Sequence, residues 1–407
     1  MEVRRERWRS LMSEPPLKAA VIGGSVGGLT TAIQLRSIGC DVDVYERSTG
    51  AMTSKGGGIV LQENMISWFQ DALGIDISTM SARTESLRYF AKDGRIISDR
   101  PVVWLNTSWV TIYSRLFQVF GQEHYHRGKQ VIRVDQDSHG ASVVFDSGET
   151  ASSDFVVFAD GVRSTGRAQF SPEVAPRYAG YVGWRGTVPE SELDPETLEA
   201  LANSMSYYVG DNTHIVLYPI PGPEGQLEVG QRLMNFVWYR NVPEGPELDA
   251  LVTDKRGRVC KLSLQAGDVQ DQFIDALRVD AAALLPGVIA EVVLKTRQPF
   301  IQILRDIVVD RMVHGRAVIL GDAAFASRPH AAAGAAKAVA DAIALSDHLV
   351  KSDFDVDAAL ANWEPTQLAI GRNLVRRVRE MGARSQFENS WVPGDPDFDF
   401  GLPGPND

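Results

Sequence analysis

KAAVIGGSVGGLTTAIQLRSIGCDVDVYE, from Lys18 to Glu46, holds an apolar strand, a glycine cluster, a helix and a second apolar strand ending in an acid. That order is the first βαβ unit of a dinucleotide-binding fold. Gly23 lets the backbone turn sharply out of the strand, and Gly24, Ser25 and Val26 carry it into the helix. Gly27 and Gly28 have no side chain to obstruct a pyrophosphate or the packing of helix on strand. The N–H groups and positive dipole end of the new helix then face the phosphates. Gly28, Ala32 and Leu35 form a small-residue face, and Gly39 ends the helix. Glu46 lies in the interval expected of an acceptor for a ribose hydroxyl. One position departs from G-x-G-x-x-G: the middle glycine is Ser25, whose hydroxyl can donate to a phosphate. Taken alone, the stretch leaves FAD and NAD equally open, with a buried βαβ unit that binds nothing as the bland alternative.

Bulk properties narrow the classes. The chain has 407 residues, 44% of them hydrophobic, enough for two or three domains. Its formal charge of −11, from 41 basic and 52 acidic residues, shows no basic patch and argues against nucleic-acid binding. Cys40 and Cys260 are far apart, which disfavours a disulfide framework, a zinc site or a dithiol relay; no metal is expected. No apolar run reaches membrane-spanning length, so no membrane contact is expected. The charged segment before residue 17 lacks the apolar core of a secretory signal. It reads as a disordered tail, or as an extension ahead of a start at Met12, and a cytoplasmic location is expected.

The fold class expected is α/β: a Rossmann-like nucleotide-binding domain, an inserted and mostly antiparallel β-sheet domain, and a C-terminal helical segment. Residues 17–83, 108–175 and 301–350 are assigned to the first, 84–107 and 176–300 to the second, and 351–407 to a C-terminal helix and tail. Within 176–300 the strand-like runs include Tyr181 to Val188, His214 to Pro219, Leu227 to Gly230 and Phe236 to Tyr239, followed by a helical piece from Asp268 to Leu285. An alanine-rich helix is expected from His330 to Val350, then a long one from 356 to 389 interrupted near Pro365. The glycines at 56–58 read as a loop lining a flat ligand, with Gly58 at the ligand.

Two further loops extend the site. The apolar strand Phe155 to Phe158 runs into Asp160-Gly161, and the strand ending at Leu320 runs into Gly321-Asp322. Both place an acid and a glycine at the carboxyl end of a buried strand, where open α/β sheets bind ligands. A carboxylate there can accept from the ribitol hydroxyls of a flavin chain. Three such loops suit the length of FAD better than that of NAD.

In this order the three motifs resemble the single-component, FAD-dependent aromatic hydroxylases of the para-hydroxybenzoate hydroxylase type. Stretches such as YAGYVGWRG, HIVLYPIPG and GDAAFASRPHAAAGAAKA are similar to the subgroup that hydroxylates dihydroxypyridines, and the resemblance runs from residue 23 to 403. It implies that Gly23, Ser25 and Gly28 hold the FAD pyrophosphate, and that Glu46 with Arg47 beside it binds the adenosine ribose. Asp160 and Gly161 would serve both FAD and a visiting NAD(P)H, with NADH favoured as co-substrate; Asp322 would bind the ribitol. Pro329, Ala333 and Gly334 would border the isoalloxazine. The implied reaction joins a small aromatic substrate and O2 through a C4a-hydroperoxyflavin, in a homodimeric enzyme.

Candidate substrate residues come from the middle domain and the flavin loop. Trp184 offers a stacking face and Arg185 a fixed charge for an oxyanion. His214 and Tyr218 are four apart on one side of a strand, and either could relay a proton. Of Trp238 and Tyr239 only one can face the pocket; Trp238 is taken as substrate-binding, together with Pro329. His330, next to the flavin loop, is the preferred titrating group. Each has a structural alternative: a surface-paired arginine, a satisfied buried histidine, an aromatic core. An oxidase, cyclase or dehydrogenase on a larger metabolite, and a non-catalytic flavin protein, also remain open on these residues.

Overall fold

The computed structural model describes residues 17–50, 52, 57–395 and 400–407. The expected tail before residue 17, the glycine at 56 and residues 396–399 lie outside the described residues. The Lys18–Ile22 strand sits in a six-stranded sheet between Asp41–Glu46 on one side and Phe155–Phe158 on the other, all three parallel. The chain therefore reverses its direction of strand addition at Lys18–Ile22. Ligands of open α/β sheets bind in the crevice that such a switch opens at the strand ends. Ala317–Ile319 adds in parallel beside Phe155–Phe158, and Tyr125–Arg127 beside Asp41–Glu46. These strands are short and almost wholly buried, as strands covered on both faces must be.

The Val26–Ser37 helix is buried over most of its length, because it lies on the sheet between the helices Trp109–Phe120 and Gly334–Lys351. The second large element is a nine-stranded sheet with Arg177–Pro189, Leu233–Asn241 and Thr213–Ile220 as adjacent antiparallel strands. Sheet membership departs from the segment boundaries expected from sequence in two places. Gly58–Leu61 pairs antiparallel with Ile96–Ser108 at one edge of the large sheet, Gly58 opposite Ser108, and Phe300–Asp306 pairs with Arg177–Pro189 near the other edge. Their runs adjoin nucleotide-binding motifs in sequence, but their backbone hydrogen bonds go to the larger sheet.

Alternation along the central strands decides what faces what. Val182, Trp184 and Val188, with Ile215, Leu217, Phe236 and Trp238, form one apolar layer under the helices Asp271–Leu284 and Gly287–Lys295. Tyr181, Val216, Tyr218, Val237 and Tyr239 point to the opposite face. Trp184 and Trp238 are direct cross-strand partners, so they must share a face. That face is the helix-covered core. Trp238 is fully buried there, and its indole N–H donates to Thr213 Oγ1 at 2.8 Å.

Several expected elements take a different form. Leu227 to Gly230 is a turn and no strand. The helical piece expected from Asp268 to Leu285 is the helix Asp271–Leu284, and a second helix, Gly287–Lys295, follows after Pro286. Pro329–Ala331 forms one tight turn and Ala332 is left-handed (φ 53°), so the following helix begins at Gly334, after His330. Val356–Gln386 runs unbroken through Pro365. Both Pro365 and Ala361, whose carbonyl loses its partner, are exposed, so water satisfies the freed group. The described residues after the last helix form no further helix or strand, and Gly401 N–H donates to Ala331 O at 2.7 Å.

Because Trp238 belongs to the core, Trp238→Ala is expected to cost about 3–5 kcal/mol of stability, a typical loss for truncating a buried tryptophan. Urea denaturation checks this, and an unchanged midpoint would contradict the placement.

Candidate functional site

The glycines at the crevice are there because backbones touch. A Cβ on Gly28 would lie 1.7 Å from the Gly23 carbonyl oxygen, and one on Gly23 (φ 100°) would lie 2.5 Å from the Ala159 carbonyl oxygen. Helix, first strand and the strand-end loop at Ala159 therefore approach without side chains between them. Gly24 is held from both directions: its N–H donates to Glu46 Oε2 at 2.9 Å, and its carbonyl accepts from the Tyr125 hydroxyl at 2.9 Å. No side chain caps the helix that starts at Val26, with Ser25 as its N-cap. The N-terminus of that helix is left facing a cavity of about 660 Å³, which Gly23, Ser25 and Val26 line.

Glu46 also lines the cavity, but it already has structural work. Its two oxygens accept from Gly24 N and from Ser48 N (2.9 and 2.8 Å), which fixes the glycine turn to the end of the second strand. Each oxygen keeps a lone pair for a ligand hydroxyl. Arg47 follows it on the cavity wall. Gly24 and Gly28 do not line the cavity; they shape the turn and the helix contact behind it.

The two acidic loops meet the same cavity. Asp160 Oδ2 accepts from Thr165 N at 2.6 Å, whereas Oδ1 is buried without a partner. Desolvation raises this carboxyl above its ordinary range. Asp322 is exposed at the cavity, and desolvation by the protein around the crevice pushes its carboxyl up to about 6. Gly321 (φ 58°) donates its N–H to Asp341 Oδ2 at 3.0 Å, and Asp341 is in turn paired with Lys337 in a fully buried ion pair. Arg167 bridges the two loops, donating to Ala323 O at 2.7 Å and to Val162 O. Sequence reasoning missed Arg167, Tyr125 and the Lys337–Asp341 pair. Only a charged residue repeated at helical spacing (337 and 341) offered a signal, and that pattern more often marks a solvated face.

At its far end the cavity reaches the large sheet. Arg185, Tyr218 and Tyr239 line it, with Met205, Val216 and Val237 as apolar wall. Gly57 and Gly58 make room: a Cβ would come within 2.2 Å of Arg185 Nη1 and 2.6 Å of Tyr218 respectively. Gly58 N–H donates to Asn235 Oδ1 at 3.1 Å. Arg185 forms no hydrogen bond or ion pair among the described residues, and its Nε is buried and orphaned. Burial raises the phenols of Tyr218, Tyr207 and Tyr239, so all three stay protonated near neutral pH.

Pro329, His330, Ala333 and Gly334 close the cavity, with the uncapped N-terminus of the Gly334–Lys351 helix behind them. His330 Nε2 is 2.6 Å from the Tyr181 hydroxyl, and its Nδ1 is buried without a partner. Burial, with the His214 ring and the Arg328 guanidinium nearby, holds His330 well below the usual imidazole range.

Three candidates lie elsewhere. Trp184 and Trp238 do not reach the cavity, since alternation turns them to the helix-covered face; Tyr239 is the member of the 238–239 pair that lines it. His214 shares the face of Tyr218, but sits one layer back. Its ring stacks on Tyr239 (centroids 4.2 Å apart), and its Nδ1 accepts from Gln386 Nε2 at 3.0 Å. Complete burial pushes its pKa down to about 3. It therefore stays a neutral imidazole at neutral pH, with Nδ1 already engaged by Gln386. Among the described residues no His, Cys, Asp and Glu cluster could hold a metal ion, and no helix is long and apolar enough to cross a membrane.

This donor set fits an FAD. A helix N-terminus open to the cavity, a carboxylate at the end of the second strand and two acids at strand ends match one long ligand with polar groups along its length. The orphaned Asp160 Oδ1 is an acceptor without a donor, as a hydroxylated chain requires. Asp322 is expected to couple binding to pH. Below about 6 it protonates and loses acceptor capacity, so FAD affinity of the apoprotein should fall as pH drops through that value. In Asp322→Asn this step should flatten. Flavin fluorescence titrations at several pH values check it.

Comparison with known proteins agrees with this geometry. A family described as FAD binding domain-like matches residues 178–306. The chain is 37% identical over 393 residues to a 2,6-dihydroxypyridine 3-monooxygenase of Paenarthrobacter nicotinovorans, covering 96% of this chain and 97% of the relative. The solved structure of 2,6-dihydroxypyridine-3-hydroxylase from Arthrobacter nicotinovorans superposes with a TM-score of 0.91, covering 97% of this chain and 99% of that one at 37% identity. Klebsiella pneumoniae HpxO complexed with FAD and uric acid superposes with a TM-score of 0.74 at 25% identity, covering 92% and 90%.

Proposed function

The chain belongs to the FAD-dependent aromatic monooxygenases, and from that premise we propose that it hydroxylates a small hydroxylated N-heteroaromatic ring, a hydroxypyridine, with NADH as reductant. The observation that carries the ring assignment is Arg185: a guanidinium on the cavity wall with no partner among the described residues. An unpaired buried charge is costly, and an anionic ligand would neutralise it. Hydroxypyridines ionise readily and react with electrophilic oxygen faster as anions. The resemblance to dihydroxypyridine hydroxylases supports the same ring class.

In this reading Gly23, Ser25 and Val26 hold the pyrophosphate, Glu46 and Arg47 the adenosine ribose, and Asp160 and Asp322 the ribityl hydroxyls. Pro329 to Gly334 border the flavin ring, and the dipole of the Gly334–Lys351 helix stabilises negative charge that develops there. Bound FAD would supply the redox and oxygen chemistry; the protein supplies position, dryness and electrostatics. Arg185 holds the ring oxyanion and orients the carbon to be hydroxylated. Met205, Val216 and Val237 exclude water from the reacting end. Tyr218 and Tyr239, kept as phenols, can donate to the ring but cannot deprotonate it. Gly57 and Gly58 let the flavin-side loop close over Arg185 and Tyr218.

The test is a panel of hydroxypyridines and phenols with NADH or NADPH, following reductant consumption, peroxide and product mass. Coupled consumption with a gain of one oxygen atom is expected for hydroxypyridines. Peroxide release with an unchanged ring, or loss of hydrogens from a larger substrate, sinks the assignment. Arg185→Met should lower kcat/KM for the accepted ring by about ten- to a hundredfold, the range for losing a charged hydrogen bond, with FAD content retained.

A further inference from the structure

The hydrogen bonds around His330 determine where its proton sits. Arg328 carries only donors. Its Nε and Nη2 reach the Asp306 carboxylate at 3.0 and 2.7 Å, and its Nη1 reaches the Tyr181 hydroxyl oxygen at 3.2 Å. Tyr181 is completely buried. Its oxygen accepts from Arg328, so its single proton needs another acceptor. The remaining hydrogen-bond partner among the described residues is His330 Nε2, at 2.6 Å. A proton on Nε2 would strand the Tyr181 O–H in a dry interior. The chain of donors from Arg328 through Tyr181 therefore ends on a lone pair at Nε2, and a neutral His330 ring must carry its proton on Nδ1. That atom has no protein partner, and the ring lines the cavity.

The junction is built. A Cβ on Gly382 would lie 2.2 Å from Tyr181 Oη, 2.9 Å from Arg328 Nη1 and 3.0 Å from His330 Nε2, so the C-terminal helix passes the three atoms only as glycine. Tyr239 and His214 pack against the imidazole, with ring centroids at 4.6 and 5.1 Å, and fix its plane. With Tyr181 and Arg328 they are the titratable and charged groups around it. We infer that His330 is held as the Nδ1–H tautomer and donates that N–H to a ring oxygen of the aromatic ligand, acting as an oxyanion-binding donor and not as a base. The ligand part rests on the ring class proposed above; the tautomer does not. Tyr181 and Arg328 are positioning residues, since they act through His330.

Two measurements decide it. Nitrogen resonances of isotopically labelled histidine in the FAD-loaded protein, assigned by difference with His330→Asn, should show the Nδ1–H tautomer. Tyr181→Phe should give a mixture of tautomers. An Nε2–H ring or an imidazolium in the wild type overturns the inference. In the second arm, a nitro-substituted hydroxypyridine, coloured as its anion, is titrated into holoenzyme. His330→Ala should bind it about tenfold more weakly or worse, and should raise the pH at which the bound probe loses its colour. His330→Asn, which keeps an N–H, should lose less. Equal affinity and equal pH in all three proteins overturns the donation. If the wild type does not bind the probe, the proposed ring class falls, and the resonances still decide the tautomer.

Discussion

A carbonyl oxygen and a missing methyl group set the geometry of this enzyme. Gly28 packs so closely on Gly23 that no side chain fits between them, and Gly23 packs in the same way on Ala159. Because of these contacts, the first helix, the first strand and the loop after Phe155–Phe158 meet at the point where strand order reverses. The polar end of the cavity is built outward from that junction. Glu46 ties the glycine turn to the second strand, Tyr125 holds it from the side, and Arg167 laces the second loop to the third. The third loop is then fixed from behind by Asp341, whose charge is balanced by Lys337 inside the core. Removing one member of such a pair would leave a buried charge unmatched, so the loop has little freedom to drift.

The sequence made the junction legible because its constraints are local. Strand, glycines, helix, strand and acid follow one another, and each residue type has a backbone reason to be where it is. The two distant acidic loops were legible for the same reason, as an apolar strand followed at once by an acid and a glycine. The substrate half was not. Trp184 and Trp238 look like a stacking platform in one dimension, but which face of a strand meets a cavity depends on what packs against the sheet. Here two helices from residues 271–295 cover the tryptophan face, and nothing in the strands themselves specifies that. His214 and Tyr218 illustrate the limit more sharply. Alternation put them on one face correctly, yet a second layer of rings separates His214 from the cavity. Arg167 was invisible because its partners are backbone carbonyls of two remote loops.

The cavity has a graded polarity that follows from these placements. Near the glycine turn it is hydrophilic and well supplied with donors and acceptors. At the large sheet Met205, Val216 and Val237 form an apolar wall, and the Nε atoms of Arg185 and Arg305 are buried without a partner among the described residues. Orphaned groups at Arg185 and His330 represent strain that a ligand relieves, so specificity and stability are opposed at this end of the site. The tyrosines that share it are kept as phenols by burial. Among the described residues no carboxylate lines that end of the cavity beside Arg185.

The docking of Gly401 on Ala331 couples two distant parts of the chain. The tight turn Pro329–Ala331 and the left-handed Ala332 form part of the cavity wall, and residue 401 braces them through a backbone hydrogen bond, although none of residues 400–407 lines the cavity itself. Gln62 adds a second brace by donating to the Ala332 carbonyl. A substitution near residue 401 therefore acts on the shape of the cavity from outside it, as a remote adjustment of its wall.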